Sequence, residues 1–185
     1  VWFRRTGKFF GFEHYKVSPD LICCGKGMGS GFPISGVLGK KKILDLAPPG
    51  SMSSTNSANP MACAAGLSTI IEINKKNLIK RSELSGKFLH LGLSQLKKKY
   101  NTYISHSLGK GLIASLIFKD FKKTKAAHVA SQICFEAAKN GLLLVRTGRE
   151  SIKIGPPLVI NKKELDQGLK ILDKSIFNVI KKLQK

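Results

Sequence analysis

One lysine, Lys26, lies between a short apolar run and a row of glycines. The run, residues 21–24, is too short for a buried helix, and we predict a buried strand there. Glycines at alternating positions then let the backbone turn sharply and pass close to a bulky neighbour: Gly25, Gly27, Gly29 and Gly31. A lysine at the end of a buried strand loses hydration, which favours the neutral, nucleophilic form of its amine. Lys26 is therefore a candidate catalytic amine for Schiff-base chemistry.

A lysine in a glycine-rich loop can also be an ordinary solvated residue, and its spacing alone leaves both interpretations open. The loop does not fit the stricter nucleotide-binding patterns. A Walker A loop needs Ser or Thr after the lysine, where this chain has Gly27, and Phe32 stands where a Gly-x-Gly-x-x-Gly motif starting at Gly27 needs its third glycine. We therefore do not expect a P-loop.

A run of small, mostly hydroxylated residues over 51–59 precedes a predicted helix over residues 61–73. Asn59 can cap this helix, and Pro60 suits its first position. The first turns contain only small side chains after Met61, so another element can approach their backbone closely. Hydroxyl groups in front of a helix can bind an anion such as a phosphate, and local turn and cap bonding is an equally good interpretation.

The remaining pattern predicts alternating strands and helices. We expect strands over 34–38, 112–118, 142–145 and 152–154, and helices over 41–46, 78–100 and 126–139. Gly86 and Gly92 weaken the second of these helices. The last helix has the clearest periodicity and follows a capping-box pattern, Asn161 with Glu164. The C-terminal half is therefore predicted to be an α/β or α+β subdomain, with a boundary inside or just after the 78–100 helix.

Composition limits the class of protein. The 185 residues suffice for one well-packed domain or two small ones, and the absence of an initiator methionine at Val1 suggests a piece of a longer protein. The net charge of +21 comes mostly from lysines spread along the chain without interleaved aromatic residues, which favours solvated helix faces over a nucleic-acid-binding surface. No apolar stretch is long enough to span a membrane.

The cysteines and histidines form no ligand pattern, so we predict no metal site. The four cysteines are interpreted as small buried hydrophobic residues in a reducing compartment, the cytoplasm: Cys23, Cys24, Cys63 and Cys134.

Four blocks in order resemble the class III (omega) pyridoxal-phosphate-dependent aminotransferases. They are the Arg-Thr-Gly-Lys-Phe-Phe-Gly-Phe-Glu-His block at 5–14, the Lys26 block at 19–33, Ser54-Thr55 with residues 59–65, and Gly-Pro-Pro-Leu-Val-Ile at 155–160. Several ordered blocks at compatible spacing are more specific than any one of them. The resemblance covers nearly the whole chain and corresponds to the C-terminal portion of the family.

The resemblance implies fold type I, an α/β architecture whose large domain is built on a mixed, mostly parallel sheet. Residues 1–80 would be the C-terminal part of the large cofactor-binding domain, and residues 81–185 a small C-terminal α/β domain that begins in a long connecting helix. Lys26 would hold pyridoxal 5'-phosphate, and Ser54 and Thr55 would reach the cofactor phosphate from the partner subunit of a homodimer. The implied reaction transfers an amino group between an amino acid or ω-amine and an oxo acid, with Lys26 moving the proton.

Departures from the family pattern affect the rest of the site. The block with the aspartate that pairs with the pyridine nitrogen, the upstream phosphate loop and the ring-stacking aromatic are not in this sequence, so we expect the chain alone to be inactive. Trp2 and Arg4 stand where the family usually has glycine. Lys153 stands where many members have an arginine that holds the substrate carboxylate, and Arg149 could replace it, although both can be ordinary surface cations.

Three alternatives stay open on the sequence. An aminomutase of the same fold differs only in whether the product amine leaves. From another class, the basic charge allows a nucleic-acid-binding module. A catalytically inactive scaffold that kept a dimer surface is the third.

Overall fold

The computed structural model describes residues 4–184. They form two compact units. The first consists of residue 4 with Lys8–Lys80, and the second of Arg5–Gly7 with residues 81–184. None of the helices in the described span is both long and apolar enough to cross a membrane.

The first element of the first unit is a 3-10 turn at Gly11–His14, followed by strand β1 (Leu21–Cys24) and a second 3-10 turn at Lys26–Met28. The elements after it are β2 (Gly36–Gly39), the single-turn helix α1 (Lys41–Leu44) and helix α2 (Pro60–Lys75). Strands β1 and β2 form an antiparallel pair with Leu21 opposite Gly39 and Cys24 opposite Gly36.

The prediction of a buried strand over 21–24 is right about the strand and wrong about its burial. Cys24 is buried, whereas Leu21 and Cys23 are exposed. The physical reason is that β1 pairs with β2 alone among the described residues, and every residue of β2 is exposed. The prediction of four buried cysteines is confirmed for Cys24 and wrong for Cys23 and Cys63, which are both exposed, and Cys134 is half-buried.

Arg4 occupies a backbone conformation that favours glycine. Its φ is 60°, and its side chain is fully buried. The guanidinium lies 3.6 Å from the centre of the Phe9 ring and donates hydrogen bonds to Asn74 Oδ1 at 2.9 Å and to the Ile70 carbonyl at 3.2 Å. Burial lowers the pKa of Arg4. These contacts fasten the start of the described chain to the C-terminal half of α2.

Helix α3 (Leu78–Lys99) is continuous through both glycines that weakened its prediction. A Cβ added at Gly86 would lie 2.4 Å from the Gly111 Cα, and one added at Gly92 would lie 2.4 Å from Leu169 Cδ1. Both glycines are therefore close-approach positions at which the helix packs on its neighbours.

The second unit has a four-stranded antiparallel sheet in the order β3-β4-β6-β5. The elements after α3 are β3 (Ile104–Lys110), β4 (Ile113–Phe118), α4 (Ala126–Lys139), β5 (Val145–Arg146), β6 (Ser151–Ile154) and α5 (Lys162–Gln184). Alternate residues of β4 and β6 are buried, including Leu116 and Ile152 at 0% exposure. They join the inner faces of α3, α4 and α5 in one hydrophobic core.

The ends of α4 and α5 follow their sequence signals. Helix α4 stops before Gly141, whose φ of 86° is the left-handed conformation that glycine adopts at helix ends. In front of α5, the Asn161 amide donates to Glu164 Oε2 at 2.8 Å, and the Glu164 amide donates to Asn161 Oδ1 at 2.9 Å. The predicted capping box is confirmed.

Candidate active site

Lys26 is presented by a tight turn directly after β1. It has a left-handed φ of 49° and begins the Lys26–Met28 turn, which is closed by the Met28 amide on the Gly25 carbonyl at 3.2 Å. The Lys26 side chain is exposed. The predicted loss of hydration at a buried strand end is therefore not produced by the described residues, because the surrounding strands are themselves open to solvent.

The glycine at position 29 is required by the path of this loop. It is buried, and an added Cβ would lie 2.2 Å from the Phe32 carbonyl oxygen and 2.6 Å from Ile34 Cγ2. Ile34 also contacts the face of α2 that carries small residues, since a Cβ at Gly66 would lie 3.3 Å from Ile34 Cδ1. The predicted close approach to the first turns of α2 is confirmed, and the approaching element is the loop after Lys26.

A cleft of about 400 Å³ lies between that loop and the N-terminus of α2. It is lined by Pro33, Ile34, Ser35, Ser54, Asn56, Ser57, Ala58, Asn59, Ala62 and Cys63. Ser54 Oγ lies 2.7 Å from Ser57 Oγ, and the Ser57 amide donates to the Ser54 carbonyl at 3.0 Å. The hydroxyl run thus forms a bonded turn that also borders an open, polar space.

Asn59 caps α2 as predicted. Its Oδ1 accepts hydrogen bonds from the amides of Met61 at 3.0 Å and Ala62 at 3.3 Å, and Pro60 occupies the first turn. The cap uses two of the free amides at this helix end, while the hydroxyls of Ser54 and Ser57 remain at the surface of the cleft. Both interpretations of the hydroxyl run, local bonding and an anion site, are therefore compatible with one arrangement.

Ser54 is the one predicted site residue that borders this cleft in the described part of the chain. Lys26 and Thr55 are exposed residues of the same unit but are not among its lining residues. Ser35 and Ser57 also line the cleft and were not named among the predicted site residues. Ser57 belongs to the hydroxylated run over 51–59, whereas nothing near Ser35 in the sequence indicates its place.

Cys24 lies two residues before Lys26 and is buried. Burial raises the pKa of its thiol, and the neighbouring Cys23 raises it further. A raised pKa keeps Cys24 in the thiol form at neutral pH. Across residues 4–184, no group of three or more His, Cys, Asp or Glu side chains is placed to hold a metal ion.

The two predicted carboxylate-binding residues lie in the second unit. Lys153 is a half-buried residue in the middle of the sheet, paired with Ser115 of β4 on one side and Val145 of β5 on the other. Arg149 is exposed in the β5–β6 connection. That connection is held by Thr147, whose Oγ1 lies 2.6 Å from Ser151 Oγ, and by the Phe118 amide, which donates to the Glu150 carbonyl at 2.8 Å. Lys153 therefore has the more firmly fixed backbone of the two.

Comparison with known proteins places this arrangement in a family. Residues 3–176 match the family model described as aminotransferase class-III. An acetylornithine aminotransferase of Caldanaerobacter subterraneus is 36% identical over 91% of this chain. A leucine/methionine racemase of Thermococcus litoralis is 38% identical over 95% of it.

A solved structure with the same fold is the acetylornithine aminotransferase from Elizabethkingia anophelis. It superimposes with a TM-score of 0.85 and 31% identity over 95% of this chain. The chain spans 41% of the Caldanaerobacter protein, 40% of the Thermococcus protein and 43% of the Elizabethkingia chain.

Proposed function

The chain belongs to the class III aminotransferase family, and on this basis we propose that it is part of a pyridoxal-phosphate-dependent aminotransferase. The observation that carries the proposal is the presentation of Lys26. Its side chain is exposed at the end of β1, on a turn whose path depends on the buried Gly29. A primary amine held out from a defined turn is what a carbonyl group needs for covalent capture.

The residues present fit the cofactor. The amine of Lys26 suits its aldehyde, and the cleft beside the α2 N-terminus offers hydroxyl donors from Ser54 and Ser57 that suit a phosphate. When bound, pyridoxal phosphate supplies a ring that takes up the electron pair released from the substrate carbon. Lys26 would hold the cofactor and, once its amine is free, accept and return the proton of that carbon.

We further propose that the phosphate is held across a homodimer. In this proposal Ser54 and Thr55 of one protomer reach the cofactor that is bound to Lys26 of its partner. The exposure of the whole 51–60 segment supports this, because a segment that serves a second subunit must lie at the surface of its own.

The substrate is proposed to be an amino acid or ω-amine, with an oxo acid as acceptor. Lys153 or Arg149 would hold the substrate carboxylate, and the fixed position of Lys153 within the sheet favours Lys153. As a single ammonium it would make a less directional contact than the two-pronged contact of an arginine.

The two halves of the chain are proposed to correspond to two domains of the parent fold. Residues 1–80 would belong to the large cofactor-binding domain, and residues 81–185 would form the small domain. The second unit has its own hydrophobic core, which supports a separate domain. A cytoplasmic location, expected from the free cysteines, stays a prediction.

A racemase is the second candidate, because the Thermococcus litoralis relative at 38% identity bears that name. Both reactions need the same cofactor lysine. They differ in the step after proton removal: a racemase returns the proton to the same carbon, whereas an aminotransferase releases an oxo product and then needs an oxo acid acceptor.

Borohydride labelling tests the shared step. The protein that carries this chain, loaded with pyridoxal phosphate, should show an absorbance band that borohydride removes while fixing the cofactor to Lys26, as located by peptide mass spectrometry. Lys26→Arg keeps the charge and should show no fixed cofactor, and Lys40→Arg is the matched control. Label on any other lysine, or none at all, would end the proposal. Conversion of a single enantiomer to a racemic mixture without an oxo acid would identify the racemase.

A further inference from the structure

The connection between β6 and α5 has no backbone N–H groups at its centre to form hydrogen bonds. It runs through Gly155, Pro156 and Pro157, and the two prolines have no N–H group to donate. The amide of Ile160, which donates to the Pro157 carbonyl at 3.1 Å, closes only its second half. The first half, which directly continues β6, has carbonyl oxygens that can accept hydrogen bonds from elsewhere in the chain.

Two arginines bind carbonyl oxygens of this connection, one at each of its ends. Arg5 Nη2 donates to the Pro156 carbonyl, 151 residues away in sequence. Arg81 Nη2 donates to the carbonyls of Val159 and, at 3.0 Å, Ile160. Arg5 thus holds the end next to β6, and Arg81 holds the end that leads into α5.

Arg5 is itself held firmly. Its carbonyl accepts hydrogen bonds from the Leu112 amide at 2.8 Å and from the Ser82 hydroxyl, which is fully buried. A Cβ at Gly111 would lie 2.5 Å from the same carbonyl oxygen, so this backbone is packed against α3 and the β3–β4 turn. The guanidinium is half-buried, and burial lowers its pKa. A rigidly supported arginine is suited to fixing a turn whose two central residues, both prolines, have no N–H group.

Lys153 lies on strand β6, just before the connection that Arg5 binds at Pro156. Strand β6 is paired on both sides at Ile152 and Lys153, but Ile154 is paired only with β4, because β5 pairs no further than Lys153. The contact of Arg5 with Pro156 therefore lies two residues beyond Ile154, the position at which β6 has lost its pairing with β5. We propose that Arg5 is a positioning residue that fixes the end of β6 and, through it, the ammonium of Lys153 for a substrate carboxylate. The role of Lys153 in this inference rests on the proposed function.

Hydrogen exchange tests the first half of the inference on the chain itself. Arg5→Gln should speed exchange in the peptide covering Ile152 to Leu158 by about tenfold, the size of one charge-assisted hydrogen bond. Arg5→Lys keeps one charged donor and should restore most of the protection. Arg81→Gln is the matched control, since it should loosen Val159 to Asn161 and leave Ile154 and Gly155 unchanged. Unchanged exchange in Arg5→Gln would overturn the inference.

Kinetics of the cofactor-loaded enzyme tests the second half. Arg5→Gln should raise the KM of an amino donor with an α-carboxylate by about tenfold and leave kcat unchanged, as expected when binding alone is weakened. The KM of an amine without a carboxylate should not move, and Arg81→Gln should change neither KM. An equal rise for both donors would overturn the link to Lys153. Loss of borohydride labelling at Lys26 would instead refute the proposed function, and the exchange result would still decide whether Arg5 holds the turn.

Discussion

The amide of Phe32 donates a hydrogen bond of 3.1 Å to the carbonyl of Gly29, and the Phe32 carbonyl lies against the same glycine. The loop after Lys26 thus folds back on position 29 so closely that a side chain has no room there. The geometry of the lysine turn therefore depends on a residue three positions further along the chain.

Gly29→Ala should distort this loop. The added Cβ would meet the Phe32 carbonyl at 2.2 Å, and a displacement of backbone costs about 2 kcal/mol. We expect a loss of this size in urea unfolding and slower borohydride labelling of Lys26 in the loaded enzyme. Gly27→Ala is the control, because a Cβ at position 27 would meet nothing within 4 Å. Equal effects of the two substitutions would contradict the packing argument.

Gly86→Ala should destabilise the second unit. The new methyl would lie 2.4 Å from the Gly111 Cα, in a contact between two backbones that cannot be relieved by turning a side chain. Overpacking of this kind costs about 3 kcal/mol. The free energy of unfolding measures the loss, and Ser94→Ala, at an exposed position of the same helix, is expected to change it little. An unfolding midpoint of Gly86→Ala equal to that of the wild type would show that α3 can move away from Gly111 at little cost.

Gly168→Ala should stabilise the second unit. Position 168 lies within α5, and an added Cβ would meet Leu142 Cδ1 at 3.8 Å, an ordinary van der Waals contact. The methyl group would border a small apolar cavity of about 80 Å³. Replacing glycine by alanine in a helix gains about 1 kcal/mol. A rise in the urea midpoint is expected, and a fall would mean that the neighbouring leucines do not tolerate the methyl group.

His90 should make stability depend on pH. Burial lowers its pKa below the usual 6.5, although its contact with the Gly111 carbonyl, at 3.1 Å from Nε2, acts in the opposite direction. A histidine whose pKa is lowered in the folded state takes up its proton more readily when unfolded. The stability is therefore full above about pH 6.5 and falls as the pH drops through that value.

The check is the unfolding free energy of wild type and His90→Gln between pH 7.5 and 5. The variant should lose less stability on acidification than the wild type. His106→Gln, at an exposed position, serves as the control. Identical pH profiles for wild type and His90→Gln would show that this histidine is not linked to folding.

Much of the fold could be predicted from local signals. Helix α4 begins and ends at the predicted residues, and the capping signals of α2 and α5 are in place. The α/β class, fold type I for the part this chain spans and the family resemblance are confirmed by the family match and the superposition. These features are set by short-range periodicity and by ordered motifs, both of which can be read without tertiary contacts.

Other features depend on distant partners. Strand β3 was not predicted, because Ile104-Ser-His-Ser-Leu carries little strand preference, and its pairing with β4 defines it. The predicted strand over 142–145 shrinks to Val145–Arg146, whose partners lie on β6. From the sequence, the glycines of α3 only weaken the predicted helix; the opposing surfaces at Gly111 and Leu169, which explain them, are known only from the fold.

The candidate site was accessible from the sequence mainly through resemblance. Spacing alone left Lys26 undecided between a catalytic and a solvated lysine, and the structure adds that its side chain is exposed on a turn whose path depends on Gly29. The place of Ser35 beside Ser54 is a product of folding, because the loop after Lys26 must first pack on α2. The roles of Lys26, Ser54, Thr55, Arg149 and Lys153 remain predictions to be measured.

The membership of Arg5–Gly7 in the second unit has a consequence for biosynthesis. Residue 5 is translated well before its partners at Ser82, Leu112 and Pro156. A nascent chain must therefore keep this segment unpaired until most of the C-terminal half has emerged, since contacts so far apart in sequence form slowly. The second unit therefore cannot finish folding before Pro156 has emerged, and residues 5–7, although translated before the rest of that unit, are among its last to be secured.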